Sequence, residues 1–306
     1  MKNFKFLIYI VSVALIVIVF DFIFNFTVEK VMDGKYNTKI YETSGANSKI
    51  AVIGASRALH HYIPSIFEDS LNISTYNYGI DGRNIFVHYA ILESLINNSK
   101  EKPEIVILDI CSTDIYDMPR WNTERINILY PYYHSNPHIK SIIDDLIENP
   151  ERFILRESGL VRHNSELIND FKVIVNKNNI DNKGYEPLYN IWEEDLVIND
   201  SESTNKIMDQ KINYLKTFIQ RCKEEGILPI ISISPSFTSR TDTLWISEIK
   251  RISVQENIPF IDSHDYNPFL THKEWYSDPT HLNDIGAKEF TKFFIHQIRD
   301  SLKIKL

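Results

Sequence analysis

Apolar positions along this chain change their pattern twice. From Phe6 to Phe26 nearly every residue is apolar. As a helix rising about 1.5 Å per residue, that run reaches about 31 Å, the thickness of a bilayer's hydrocarbon core. From Val28 to Ser48 the chain turns polar, through Asp33-Gly34-Lys35 and Ser44-Gly45-Ala46-Asn47, with no sustained helical or strand period; a tether is expected there. Beyond it, short β-type apolar runs alternate with longer amphipathic segments, the pattern of a parallel sheet covered by helices.

Strands are predicted at Lys49–Ile53, Ser74–Tyr78, Glu104–Ile110, Ile227–Ser234 and Pro259–Asp262, each bounded by Gly, Pro, Ser or Asp. Helical spacing fits Ile63–Leu71, Ile85–Asn97, Asn205–Glu225, Trp245–Glu256 and Asp284–Leu302, with Gly226 as a C-terminal stop. The alternation breaks between about 112 and 203, a stretch rich in Tyr, Asn and Pro with helices expected near Pro137–Ile147 and Leu160–Asn176. The expected organisation is therefore a tail and anchor over 1–28, a tether over 29–48, and one α/β domain over 49–306 that carries this insertion. In an open parallel sheet, ligands gather at the carboxyl ends of the strands, here the loops at Gly54, Gly79, Cys111, Ser234 and Ser263.

Two polar residues qualify the anchor. Asp21 lies inside the apolar run and Asn25 near its end; a carboxylate at mid-bilayer costs about 2.5–3.5 kcal/mol, less toward the edge. No small-x-small cleavage site follows the run, so an uncleaved signal anchor is expected rather than a removed signal peptide. Lys2 and Lys5 precede it, which predicts a cytoplasmic tail and an extracytoplasmic domain.

The chain of 306 residues has a net formal charge of −8, which disfavours nucleic acid as a partner. Cys111 and Cys222 are the only cysteines, too few for a disulfide scaffold and without zinc-site spacing; two unpaired thiols are expected, with one bridge as the alternative. No metal or cofactor motif is present: Gly79-x-x-Gly82 lacks the preceding glycine of a dinucleotide fingerprint.

Candidate chemistry lies at two places. Ser56 follows the first predicted strand in Ile53-Gly54-Ala55-Ser56-Arg57, and Asp278-Pro279-Thr280-His281 precedes the last predicted helix. A serine hydroxyl is a poor nucleophile until an imidazole accepts its proton, and a carboxylate three residues before the histidine can reach the other ring nitrogen. Alone, a strand-end serine is commonly a helix cap and a lone histidine commonly a buried structural one; their joint placement at the two ends of an α/β chain points to catalysis. His60 and His61, next to the nucleophile turn, are expected to be solvated or capping, with lining of the pocket as the alternative, and Arg57 to be a surface residue, with binding of an anionic group as the alternative. Tyr130, Pro131, Tyr132 and Tyr133, with Trp121 and Trp192, suit either a sugar-stacking platform or the core of the insertion.

With these residues the chain resembles the SGNH hydrolase superfamily, the GDSL-type esterases and lipases, from Lys49 to about Phe293. Gly54-Ala55-Ser56 stands where the family has Gly-Asp-Ser, and Asn77-Tyr78-Gly79-Ile80-Asp81-Gly82 matches its Asn-x-Gly-x-x-Gly block. In the third block Cys111 and Thr113 replace the usual glycine and asparagine, whereas Asp278-x-x-His281, with Asn283 and Gly286 after it, matches the fourth. The resemblance implies a three-layer αβα sandwich around a parallel five-stranded sheet, flavodoxin-like in outline. It also implies a Ser56–His281–Asp278 triad and an oxyanion hole from the N–H groups of Ser56 and Gly82 with the Thr113 hydroxyl. The implied activity is that of an esterase or O-acyltransferase on acyl, chiefly acetyl, esters of an extracytoplasmic polysaccharide or cell-wall polymer. A multispanning membrane acyl carrier is the partner that anchored relatives of this kind imply. A catalytically silent carbohydrate-binding or assembly protein is the alternative that the altered third block raises.

Overall fold

The structure is a computed structural model describing residues 2–32, 38–118, 122–163, 182–194, 206–237, 243–264 and 266–303. Helix α1 (Lys2–Met32) and the short α2 (Thr38–Glu42) lead into strand β1 (Ile50–Gly54), then α3 (Ser56–His61), α4 (Pro64–Leu71), β2 (Thr75–Asn77), α5 (Ile85–Asn98) and β3 (Ile105–Asp109). The middle of the chain holds 3-10 turns at Ser112–Asp114 and Glu124–Tyr132, followed by α6 (Pro137–Leu146), α7 (Glu151–Glu157) and α8 (Gly159–His163). Regular alternation resumes with α9 (Asp209–Glu224), β4 (Leu228–Ile233), α10 (Leu244–Gln255), β5 (Phe260–Asp262), α11 (Asn267–Thr271) and α12 (Asp284–Lys303). The described chain divides into two compact units, Met1–Tyr41 with Ile126–Asn179, and Glu42–Arg125 with Ile180–Leu306.

The second unit is built on a five-stranded, wholly parallel sheet in the order β2-β1-β3-β4-β5. β1, β3 and β4 are continuous apolar runs because helices cover both their faces, and every residue of β1 and β3 is buried. Alternate residues Ile50, Val52, Ile105, Ile107 and Ile230 share one core with Tyr62, which follows α3, and with Phe67, Phe290 and Phe294 of α4 and α12. Tyr62 meets Phe290 and Phe294 edge-on at 5.1 and 5.2 Å, and each such buried ring contributes about 1.5–3 kcal/mol of apolar burial. The opposite strand residues are equally buried beneath α5 and α9, whose mutual contact includes Phe86 edge-on to Tyr214 at 4.9 Å and an Arg221–Glu93 ion pair at 2.8 Å. The result is three layers. Because the winding reverses between β1 and β3, the crevice of this doubly wound sheet opens at their carboxyl ends.

In the first unit, the 29-residue stretch Phe4–Met32 of α1 is long and apolar enough to cross a membrane by length and composition. The helix runs past the expected end of the anchor to Met32, and Thr38–Glu42 forms a further turn with Lys39 and Ile40 buried, where the sequence alone predicts irregular backbone. Of the expected helix at Leu160–Asn176, Leu160–His163 belongs to α8 and the remainder lies outside the described residues. Cys111 and Cys222 are not joined in a disulfide.

Candidate active site

Ser56 is the first residue of α3, directly after the turn that ends β1. Gly54 permits that turn by close approach, since a Cβ there would lie 2.7 Å from both the Ala58 Cβ and the Asp109 carbonyl oxygen. His281, 225 residues away in sequence, places Nε2 2.7 Å from Ser56 Oγ, and its Nδ1 lies 2.7 Å from Asp278 Oδ2. An ionised carboxylate only accepts, so Nδ1 carries the proton and Nε2 is left to accept from the serine hydroxyl. The other oxygen, Asp278 Oδ1, accepts from Thr280 N, Thr280 Oγ1 and His281 N at 2.8, 2.9 and 3.0 Å, which folds the loop and fixes the carboxylate. Burial acts to raise the pKa of Asp278, but hydrogen bonds from His281 and Thr280 outweigh it and hold the carboxyl well below the usual range.

The loop is held from both sides. Asn283 Oδ1 accepts from the amides of Ile285 and Gly286 at 3.1 Å, capping α12, while its Nδ2 donates to the Glu274 carbonyl at 2.8 Å. Asn77 does the same for α3: its Nδ2 donates to the Ala58 and Tyr62 carbonyls at 2.7 and 2.9 Å, and its Oδ1 accepts from Gly79 N at 2.9 Å. Gly82 has φ of 63°, a left-handed conformation that favours glycine, and the Arg125 guanidinium occupies the place a Cβ would take.

Three sequence expectations are corrected here. His60 and His61 are buried rather than solvated, and Arg57 is turned inward. Burial hides these roles from the sequence, because each side chain finds distant polar partners. Arg57 donates to the Ser234 and Ile110 carbonyls at 3.2 and 2.8 Å, which ties α3 to the ends of β4 and β3. His61 Nε2 accepts from Leu282 N at 2.9 Å, and its Nδ1 faces Ser234 Oγ at 3.1 Å. Ser234 Oγ in turn donates to Asp109 Oδ2 at 3.0 Å, and Tyr62 donates to Asp109 Oδ1 at 3.0 Å. His281 is thus followed immediately by a residue anchored to α3. Asp109, ending an apolar strand, is the one sequence signal of this network: a charge in that position needs buried partners.

The third block is arranged inward. Asp114 accepts from Cys111 N at 2.9 Å and lies 3.2 Å from His88 Nε2, both fully buried. Thr113 Oγ1 lies 3.0 Å from Cys111 Sγ. Burial and the Asp114 carboxylate push the Cys111 thiol up to about 12, so it stays protonated at neutral pH and is a poor nucleophile. Of the aromatic platform, Tyr132, Tyr133 and Trp192 are buried and Trp121 lies outside the described residues. Packing is therefore the role of the buried three.

Sheet order, the Ser56 turn after β1 and the terminal Asp-x-x-His loop together give the three-layer α/β arrangement that the resemblance implies. No protein-family model and no curated protein matches the chain. Among solved structures, it is similar to an acetylxylan esterase from Geobacillus stearothermophilus, with 13% identity and a TM-score of 0.43 over 84% of this chain and 96% of that one. A GDSL-like lipase from Bacteroides thetaiotaomicron shows 12% identity and a TM-score of 0.43, over 87% and 98%. An acetyl xylan esterase, AlAXEase, shows 12% identity and a TM-score of 0.44, over 81% and 99%.

Proposed function

We propose that this chain is a membrane-anchored, extracytoplasmic serine esterase or O-acyltransferase that works through an acyl-serine intermediate. The observation that carries the reading is the continuous relay Ser56 Oγ, His281, Asp278, with both links at 2.7 Å. His281 Nε2 takes the hydroxyl proton as Ser56 Oγ attacks the ester carbonyl. The backbone N–H groups of Ser56 and Gly82 receive the oxyanion, a kind of contact worth about 2.7–4 kcal/mol per donor. Thr113 is a lesser contributor, because its hydroxyl has Cys111 Sγ as a competing partner. The imidazolium then gives its proton to the departing alkoxide, leaving acyl-Ser56. Water releases the acid; a sugar hydroxyl instead yields a new ester.

The substrate class proposed is an acetylated carbohydrate or cell-wall polymer. A membrane span favours transfer, since a free-standing esterase gains little from a tether, and a multispanning acyl carrier would supply the acyl group. The intact relay speaks against a silent binding protein, which has no use for all three side chains. Fluorophosphonate is expected to label the wild type on the peptide containing Gly54-Ala55-Ser56-Arg57. Ser56→Ala and His281→Ala are each expected to cut kcat about a million-fold, and Asp278→Ala about ten-thousand-fold. Retention of ester-cleaving and acyl-transfer activity by Ser56→Ala sinks the mechanism. A chromogenic acetyl ester assayed with and without oligosaccharide acceptors separates hydrolysis from transfer.

A further inference from the structure

Within the first unit, Asp21 and Asn25 of α1 are not left bare. Asp21 Oδ1 accepts from Leu160 N at 2.7 Å and Ser158 Oγ at 3.0 Å, and its Oδ2 accepts from Gly159 N at 3.2 Å. One turn on, Asn25 Oδ1 accepts from Arg162 Nη2 at 2.6 Å. Gly159 lies directly against α1, since a Cβ there would fall 2.4 Å from the Asn25 Cβ; small residues at helix contacts allow such approach in membranes. Phe24 meets the His163 ring at 6.4 Å on the same side. These contacts clasp α8 onto the anchor at Asp21 and Asn25.

At about 1.5 Å per residue, Asp21 lies about 22 Å along the helix from Phe6, so in a core about 30 Å thick beginning there it sits about 8 Å inside the far edge. A carboxylate at that depth needs donors that lipid does not supply, and α8 brings them. The segment that carries these donors also exposes Phe153, Ile154 and Val161, at 56%, 48% and 39%. The Arg156 guanidinium stacks over the Phe153 ring at 5.4 Å, an apolar body with a charged tip that suits the headgroup boundary. Interfacial helices bury their apolar side about 5–10 Å deep, which agrees with the depth of the clasp.

We propose that α7 and α8 form an interfacial membrane element, locked to the anchor by Asp21 and Asn25, with Phe153, Ile154 and Val161 inserted among the acyl chains of the bilayer. This rests on the reading of α1 as a membrane span. The clasp at Asp21 and Asn25 sets the depth of the element.

The full chain in vesicles of phosphatidylcholine brominated on the acyl chains provides the test, with each added tryptophan read as the emission difference from wild type. Phe153→Trp and Val161→Trp are each expected to lose about half of that added emission when bromine lies near the headgroup end of the chain, and less when it lies near the terminal methyl. Val17→Trp in α1 is the control for the span, and Val254→Trp on the exposed side of α10 the control for water. Asp21→Ala, added to Phe153→Trp, is expected to weaken its quenching at least about two-fold by opening the clasp. If Val17→Trp is quenched while Phe153→Trp and Val161→Trp are not and respond instead to aqueous iodide, the inference is wrong and the span stands. Shielding of these two from both quenchers assigns the surface to a second protein chain and equally overturns it. If Val17→Trp itself escapes the bromines, the span reading fails and the inference falls with it.

Discussion

His61 shows how much a single side chain can be constrained without touching a substrate. Its Nε2 receives the Leu282 amide hydrogen and is therefore unprotonated, so the ring is neutral, with Nδ1–H directed at Ser234 Oγ. Burial, with the nearby His281, Arg57 and His60, pushes its pKa well below the ordinary histidine value. Such a group stays neutral in the folded state while the unfolded chain binds a proton below about pH 6.5, so its contribution to stability is full above that pH and is lost as the pH falls below it. His60 has the opposite sign. Burial lowers its pKa, but Asp81 and the Glu186 carbonyl more than offset this and raise it, so its stabilisation is present below about pH 6.5 and is lost as the pH rises through the folded value. Thermal unfolding between pH 7.5 and 5.5 is expected to show a smaller loss of Tm for His61→Gln than for wild type, and a larger one for His60→Gln. Equal slopes in all three proteins would count against these protonation states. The pair His60-His61 is visible in the sequence, but adjacency says nothing of pKa shifts in opposite directions, which follow from partners up to 221 residues away.

At the scale of elements, the strands were legible because their physics is local. A run such as Ile105-Val106-Ile107-Leu108 has no polar face to show water, and the observed β3 falls within the expected Glu104–Ile110. Long helices were equally legible from their 3.6-residue spacing: α12 begins at Asp284 as expected. α3 was not predicted, since six residues ending in His60-His61 carry too little periodicity to register. Its position depends instead on Asn77, whose amide satisfies two of its terminal carbonyls. Asn77→Ala strands these groups and Gly79 N, and is expected to cost about 1–3 kcal/mol in urea unfolding and to lower kcat through displacement of Ser56. Asn77→Asp keeps the acceptor but sets a carboxylate against two carbonyls, so a larger loss is expected. An aspartate variant as stable as wild type would show that these hydrogen bonds do not hold α3.

For the whole molecule, the proposed topology places the short tail in the cytoplasm and the sheet-bearing unit outside. Protease added to intact cells is then expected to remove the sheet-bearing unit and to leave a membrane-bound fragment containing α1. Protection of that unit, or a mature chain beginning near Thr27, would overturn the anchor. The stretch expected as one insertion over 112–203 divides in the structure: 126–179 groups with α1, and its two flanks group with the sheet. Composition could not reveal this division, because a Tyr- and Asn-rich stretch with little periodicity does not identify the surface it packs against.

Local physics was sufficient for the class of the fold. Apolar periodicity set the strands, the long helices and the bilayer-length run of α1, and residue chemistry singled out Ser56, Asp278 and His281. Tertiary structure alone joined Ser56 to His281, turned Arg57 inward, made His61 neutral, and supplied Asp21 with donors from a segment 137 residues further on. The physical reason is burial: whether a polar group is exposed, paired or charged depends on atoms that meet only when the chain has folded, and no spacing along the sequence records them.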